Sequence, residues 1–155
     1  MQERQTPVPR GAEMWQTDRL LPRHRAVVIV VADDPFDRDL LGQSLTILGF
    51  RVLLAASVPA GVERLCATPE TTAVVIDAPA AADCVATMDA LRSVRPDVPV
   101  VLFAGELPRD ARRALRQDGN VEILTKPISF GQMESAVRKA SRPWRSPSSP
   151  SPLSP

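Results

Sequence analysis

Five short apolar runs constrain the fold of this 155-residue chain more than any other feature. They occupy residues 26–31 (AVVIVV), 51–55 (RVLLA), 73–76 (AVVI), 98–103 (VPVVLF) and 121–125 (VEILT). Each run is too short for a helix of ordinary length, rich in β-branched residues, and largely without the polar alternation of a half-exposed strand. The runs therefore predict strands that are buried on both faces, as in a parallel sheet.

Amphipathic segments separate these runs and predict helices. The first helix begins at Pro35, places Leu40, Leu41, Leu45 and Leu48 at helical spacing, and stops at Gly49. The second is capped by Ser57 and continues through Leu65. Three more are expected at residues 85–94, 109–118 (closed by Gly119) and 130–140. Alternating strands and helices predict an α/β fold in which a parallel sheet is covered by helices on both faces.

The two ends of the chain differ from its centre in composition. Residues 143–155 contain five Pro and five Ser, too little apolar surface to offset the entropy of ordering. We therefore expect disordered segments at residues 1–24 and 142–155, and one folded domain over residues 25–141.

Charge and cysteine content favour a soluble, cytoplasmic protein. The formal net charge is +1, which gives no argument for a nucleic-acid or membrane partner. The longest apolar run, residues 26–32, is far too short to cross a bilayer, and the N-terminus lacks a signal-peptide pattern. Two cysteines, Cys66 and Cys84, do not suffice for a disulfide scaffold, so a reducing compartment is the simpler expectation.

Charged residues follow three of the predicted strands. Asp33 and Asp34 follow the first strand, Asp77 follows the third, and Lys126 with Pro127 follows the fifth. The carboxyl ends of parallel strands lie at one edge of a sheet, so these residues should converge. Two carboxylates 4 Å apart repel by roughly 4 kcal/mol at an effective dielectric near 20, so Mg²⁺, Lys126 or both should hold them. A carboxylate beside such cations can accept a phosphoryl group.

The order VVADDP with Arg38, then a lone Asp77, then LTKP, resembles the response-regulator receiver domain over residues 25–141. The resemblance implies a flavodoxin-like, doubly wound sheet with strand order 2-1-3-4-5. It implies that Asp77 accepts a phosphoryl group from a histidine kinase or phosphotransfer protein and that Lys126 pairs with that group. Mg²⁺ would be bound by Asp33, Asp77 and the backbone carbonyl of Pro79, with Asp34 as a further candidate. It also makes Lys126–Pro127 a candidate for the cis isomer.

Four departures from the receiver pattern bear on function. Ala32 replaces the first of two acids after strand 1, and Ala104 replaces the Thr or Ser that ends strand 4. Ile123 stands where an aromatic residue is usual, and the loop after Asp77 (APAAADC) has no glycine. The leading prediction is an atypical stand-alone receiver, a non-enzymatic signalling module with no output domain on this chain. The alternative is a degenerate receiver that binds partners independently of phosphorylation. A flavin-binding enzyme of the same topology is a third, distant possibility.

Four arginines lie on one face of the helix predicted at residues 109–118. Arg109, Arg112, Arg113 and Arg116 are spaced three or four positions apart. They form a solvated face, a partner-docking surface, or a site for phosphate backbone. The resemblance to receivers adds that this helix, strand 5 and the last helix together contact the output partner.

Overall fold

The computed structural model describes residues 26–78 and 82–142, which form five strands and five helices in strict alternation. The strands are β1 (Val27–Val31), β2 (Arg51–Ala55), β3 (Thr71–Asp77), β4 (Val100–Ala104) and β5 (Val121–Thr125). The helices are α1 (Pro35–Ile47), α2 (Val58–Ala67), α3 (Ala82–Val94), α4 (Arg109–Gln117) and α5 (Phe130–Ala140). The expected disordered segments lie outside the described residues, apart from Arg142.

All five strands pair in parallel, in the order β2-β1-β3-β4-β5. The fold class and the strand order implied by the resemblance are therefore confirmed. The three central strands are buried almost throughout, as predicted. For β2 and β5 the prediction of complete burial was wrong: they are the edge strands of the sheet and are mostly only half-buried.

Helices cover both faces of the sheet, and each face has its own apolar core. Helices α2, α3 and α4 pack on one face through residues such as Leu65, Leu91 and Leu115. Helices α1 and α5 pack on the other face through Leu45 and Val137. Alternate residues of β1 supply the two cores: Ile29 and Val31 point to the first, Val28 and Val30 to the second.

The strand expected at residues 98–103 is in fact Val100–Ala104. Pro99 has no N–H to donate to a neighbouring strand, and its carbonyl accepts from Val74 N at 2.9 Å. At the other end, Ala104 stays in the ladder because its carbonyl accepts from Lys126 N at 2.8 Å. The boundary prediction was wrong at both ends because the pairing partners, rather than the apolar run, determine where the strand begins and ends.

Other boundaries differ by one to three residues. Strand β1 begins at Val27 rather than at residue 26, and β3 begins at Thr71 rather than at residue 73, pairing with Val27. Helix α3 begins at Ala82 rather than at residue 85. Helix α2 continues to Ala67, and α4 ends at Gln117. These shifts add or remove residues whose side chains carry little apolar signal.

The predicted helix stops and the predicted Ser57 cap are present. Gly49 and Gly119 follow α1 and α4 with φ of +99° and +86°, in the left-handed region that glycine adopts without strain. Ser57 accepts a hydrogen bond from Ala60 N at 3.2 Å and starts α2. Within residues 26–78 and 82–142, none of the helices combines the length and the apolar character needed to cross a membrane.

Candidate functional site

Asp77 and Lys126 meet at the carboxyl edge of the sheet. Asp77 is the last residue of β3, and Lys126 directly follows β5, so β4 lies between them. Lys126 Nζ forms an ion pair with Asp77 Oδ1 across this gap. The Asp77 side chain is 11% exposed and the Lys126 side chain 40% exposed. The structure thus brings together two of the predicted site residues, one largely buried anion and one accessible cation.

Backbone hydrogen bonds fix both residues to β4. Lys126 N donates to Ala104 O at 2.8 Å, and Ala78 N, directly after Asp77, donates to Phe103 O at 2.9 Å. The Lys126–Pro127 peptide bond is cis. The two hydrogen bonds to β4 attach both charged residues to the sheet edge, an arrangement that holds reacting groups in place.

The Oδ1 atom of Asp77 is buried and accepts no regular hydrogen bond from the described residues; its partner there is the Lys126 ammonium. An ionised carboxylate has about four lone-pair sites for donors or cations. Asp77 therefore retains capacity for a further positive partner.

The two acids after β1 have different environments. Asp34 is the N-cap of α1: its Oδ1 accepts from Phe36 N at 2.8 Å and from Asp37 N at 3.0 Å. Asp33 is exposed, and its carboxylate has no hydrogen bond or ion pair within the described residues. Arg38 Nη1 donates to the backbone carbonyls of Ala32 at 2.9 Å and Asp33 at 3.4 Å, which braces this loop. Asp34 thus has a structural role, whereas Asp33 is available for a ligand.

The oxygen donors at this edge suit a hard cation. In the part of the chain that the structure describes, no three acidic, histidine or cysteine side chains cluster to form a complete cage. Mg²⁺ needs no such cage, because it commonly keeps several waters and uses one or two carboxylates plus a phosphate oxygen. Asp33 and the incompletely partnered Asp77 supply carboxylates of that kind. Pro79, the third expected ligand, lies outside the described residues.

Three positions that depart from the receiver pattern carry apolar side chains. Ala32 and Ala104 are 1% and 2% exposed, and neither has a polar side-chain atom. Ile123 packs against the core cluster that contains Ala104 and Leu115. The last residue of β4 therefore carries a methyl group and no hydroxyl.

A groove beside Asp77 was not foreseen from the sequence. It has a volume of about 440 Å³ and runs between α1 and the start of α5. Its lining includes Leu40, Leu41, Asp77, Lys126, Phe130 and Met133. Leu40 is 53% exposed and Phe130 50% exposed, and Phe36 at the start of α1 is 73% exposed. The available signal was the presence of apolar residues on more than one face of α1.

Sequence comparisons identify no relative: no family model matches the chain, and no curated protein does. Solved structures do match. Chemotaxis protein CheY4 of Vibrio cholerae has a TM-score of 0.64 at 18% identity, covering 75% of this chain and 98% of that one. A response-regulator receiver domain from Clostridium thermocellum has a TM-score of 0.62 at 20% identity, covering 74% and 93%. A putative pilus assembly-related protein from Burkholderia pseudomallei has a TM-score of 0.63 at 16% identity, covering 75% and 89%.

Identities of this size show the fold. The matches span almost the whole length of each of these three proteins and about three quarters of this chain. Together with the strand order β2-β1-β3-β4-β5 and the Asp77–Lys126 pair, they indicate one architecture. The fold of this chain is that of the response-regulator receiver domains.

Proposed function

We propose that the chain is an atypical receiver domain that accepts a phosphoryl group on Asp77 from a histidine kinase or phosphotransfer protein. The observation that supports this most is the ion pair of the largely buried Asp77 with Lys126 at the ends of β3 and β5. We further propose that the protein acts in the cytoplasm as a non-enzymatic signalling module.

In the proposed transfer, an Asp77 carboxylate oxygen attacks the phosphorus atom of a donor phosphohistidine. The P–N bond breaks, its electron pair stays on the imidazole nitrogen, which then takes up a proton, and an acyl phosphate forms on Asp77. Little other covalent chemistry is required, so positioning and charge neutralisation dominate. The Lys126 ammonium can follow the negative charge from the carboxylate to the phosphoryl oxygens. Mg²⁺ held by Asp33 and Asp77 would supply further neutralisation when bound.

The groove provides the approach to Asp77. Its walls are mainly apolar, and the Asp77–Lys126 pair is part of its lining. A donor protein with an apolar surface could cover Leu40 and Phe130 and exclude water while it presents its phosphohistidine. A small phosphodonor could enter the same opening without that contact.

Intact-mass measurement tests the proposal. The protein is incubated with Mg²⁺ and acetyl phosphate, and we expect an adduct of about 80 Da, the mass of one phosphoryl group. The adduct should be absent from Asp77→Asn and retained by Asp37→Asn, a matched loss of an acid that lines the same groove. Failure to form the adduct, or its persistence in Asp77→Asn, would contradict the assignment.

A second candidate function is a degenerate receiver that binds a partner independently of phosphorylation. It is favoured by Ala104 and Ile123, which place apolar groups where receivers usually carry a hydroxyl and an aromatic ring. The fold also occurs in proteins described as putative pilus-assembly proteins, so it is compatible with other roles. The affinity of wild type and Asp77→Asn for an identified partner separates the two candidates. Equal affinity with and without the phosphodonor favours the second candidate, whereas a phosphorylation-dependent difference favours the first.

A further inference from the structure

The arginines of α4 differ from most other arginines of the described chain. Six arginines outside α4 have a guanidinium group that is hydrogen-bonded to a backbone carbonyl or paired with a carboxylate: Arg38, Arg51, Arg64, Arg92, Arg95 and Arg138. The side chains of Arg109, Arg112, Arg113 and Arg116 form no hydrogen bond or ion pair with any residue in the ranges 26–78 and 82–142. Three of the four are exposed, and Arg112 is half-buried. Helix α4 therefore presents four uncompensated guanidinium groups.

This arrangement is unfavourable for the isolated helix. Four pairs of these arginines lie three or four positions apart, and like charges at such spacing destabilise a helix. Asp118 cannot relieve them, because both of its carboxylate oxygens accept hydrogen bonds from Arg92. Asp110, in the first turn of α4, offers a single carboxylate to four arginines and forms no ion pair with them within the described residues. The helix has little other support: only Leu115 is buried, and the N-cap Pro108 makes no side-chain capping bond. An anionic partner would remove the repulsion and stabilise α4.

From these observations we infer that α4 is a docking surface for an acidic protein segment. The helix is nine residues long, roughly 13 Å, which matches a short run of carboxylates. Nucleic acid fits less well, because residues 26–142 contain 13 basic and 15 acidic side chains, and so offer a long polyanion no basic surface beyond α4 itself. Helix α4 also has no aromatic side chain on which a base could stack.

The inference rests on the proposed signalling role only in treating α4 as the output face. Binding is measured on the unphosphorylated 155-residue chain. The peptide can therefore fail to bind although Asp77 accepts a phosphoryl group, and it can bind although Asp77 accepts none. The probe is a fluorescein-labelled oligoglutamate peptide, followed by fluorescence anisotropy, with a neutral Gly/Ser peptide of equal length as the reference.

We expect the oligoglutamate to bind, and its affinity to fall as salt is raised through about 0.15 M, where charges are screened over about 8 Å. Arg113→Gln/Arg116→Gln should lower the affinity about tenfold, since the loss of each exposed charge pair weakens binding by a factor of up to about five. Arg113→Lys/Arg116→Lys should retain most of the binding. The matched control Arg51→Gln/Arg64→Gln, which removes the same charge at the β2 edge, should bind like wild type. Hydrogen exchange of residues 109–117 should slow when the peptide binds.

Four results would overturn the inference. They are equal binding of the neutral peptide, equal losses in the α4 variant and the β2-edge control, tighter binding of a short DNA duplex than of the oligoglutamate, and self-association of the protein that the α4 substitutions abolish. The third result would assign the arginines to nucleic acid, and the fourth would assign them to a second copy of the chain. Circular dichroism of each variant verifies that a loss of binding does not reflect a loss of fold.

Discussion

Lys126 Nζ and Asp77 Oδ1 form an ion pair that joins the end of β5 to the end of β3 across β4. Removal of the Lys126 ammonium leaves the largely buried Asp77 carboxylate without its partner. The resulting loss of stability is larger than the net stabilisation that the intact ion pair provides. We expect Lys126→Gln to lower the free energy of unfolding by about 1–2 kcal/mol, a value discounted for the exposure of Lys126. Asp77→Asn added to that variant should recover much of the loss, because the unpaired charge is removed.

Urea denaturation of the wild type, both single variants and the double variant measures this coupling. Lys139→Gln serves as the control, because its ammonium is 4.0 Å from Glu122 and the lysine side chain is 72% exposed. That change should stay within about 0.5 kcal/mol. Additive effects of the two site substitutions would show that the pair has no energetic coupling.

The capping contact of Asp34 predicts different results for two substitutions. Asn is as good an N-cap as Asp, so Asp34→Asn should leave the stability within about 0.5 kcal/mol of wild type, whereas Asp34→Ala should cost about 1 kcal/mol. If Asp33 rather than Asp34 binds the metal, Asp33→Asn alone should raise the Mg²⁺ concentration required for phosphorylation by acetyl phosphate. A comparable rise in Asp34→Asn would assign a metal-binding role to Asp34 as well.

The Arg92–Asp118 pair predicts a pH-dependent contribution to stability. Arg92 Nε and Nη2 donate to the two carboxylate oxygens at 2.8 and 2.7 Å, and this contact holds the pKa of Asp118 below its usual range, although burial opposes the shift. Because the pKa is lower in the folded protein, the stabilisation is complete above the unfolded value of about 4 and is lost as the pH falls through the folded value.

Asp118→Asn should therefore lower the free energy of unfolding by about 1–2 kcal/mol near pH 7, and the difference from wild type should shrink below about pH 4. Denaturant titrations across this range measure it. Asp110→Asn on α4, which has no ion-pair partner within the described residues, provides the control. A difference that stays constant with pH would rule out the ion pair as its source.

Alanine substitutions at two glycines should have opposite effects on the stability of the protein. A Cβ at Gly61 would lie 2.7 Å from Cγ2 of Val31, a buried β-branched side chain that cannot rotate away. Gly61→Ala should cost about 1–3 kcal/mol through overpacking of α2 on β1. A Cβ at Gly131 in α5 would meet no other atom within 4 Å, so Gly131→Ala should gain about 0.5–1 kcal/mol. Thermal denaturation of both variants tests the contrast, and a shift of the same sign in both would contradict it.

The apolar contacts of Ala104 and Ile123 predict a weak response of the β4–β5 region to phosphorylation. Ala104 has no hydroxyl to bond a phosphoryl oxygen, and Ile123 is already packed against the core. In protein whose phosphorylation has been verified by mass, hydrogen exchange of residues 104–125 should equal that of unphosphorylated protein. Ala104→Ser supplies the missing hydroxyl and should introduce a difference. A large change in the wild type would show that the signal reaches α4 by another route.

The central strands could be predicted because a strand buried on both faces must be largely apolar, which gives a local signal. The half-burial of the edge strands β2 and β5 could not be predicted in this way, because it depends on their place in the sheet. The two ends of β4 could not be predicted from the sequence, because they depend on hydrogen-bond donors and acceptors in neighbouring strands. One example is the hydrogen bond that Val74 N donates to the Pro99 carbonyl. The start of α3 was missed for a related reason: Ala82 adds no apolar periodicity.

The candidate site, too, was predictable only in part. The convergence of Asp77 and Lys126 could be expected from the rule for parallel strand ends, since topology alone brings them to one edge. The groove could not, because it depends on how α1 approaches α5, and Leu40 has the spacing of a core residue although it is half-exposed. The Arg92–Asp118 pair joins residues 26 positions apart and has no local signature in the sequence.

The groove between α1 and α5 also affects how long a phosphorylated state could last. An acyl phosphate is destroyed by water, and Asp77 lines a groove of about 440 Å³, so water in the groove would lie beside a phosphorylated Asp77. Occupancy of the groove would then control the lifetime of the phosphorylated state. A donor or partner bound over Leu40 and Phe130 would lengthen that lifetime, and its dissociation would allow hydrolysis. The shape of the surface between α1 and α5 would then determine how long the phosphorylated state lasts.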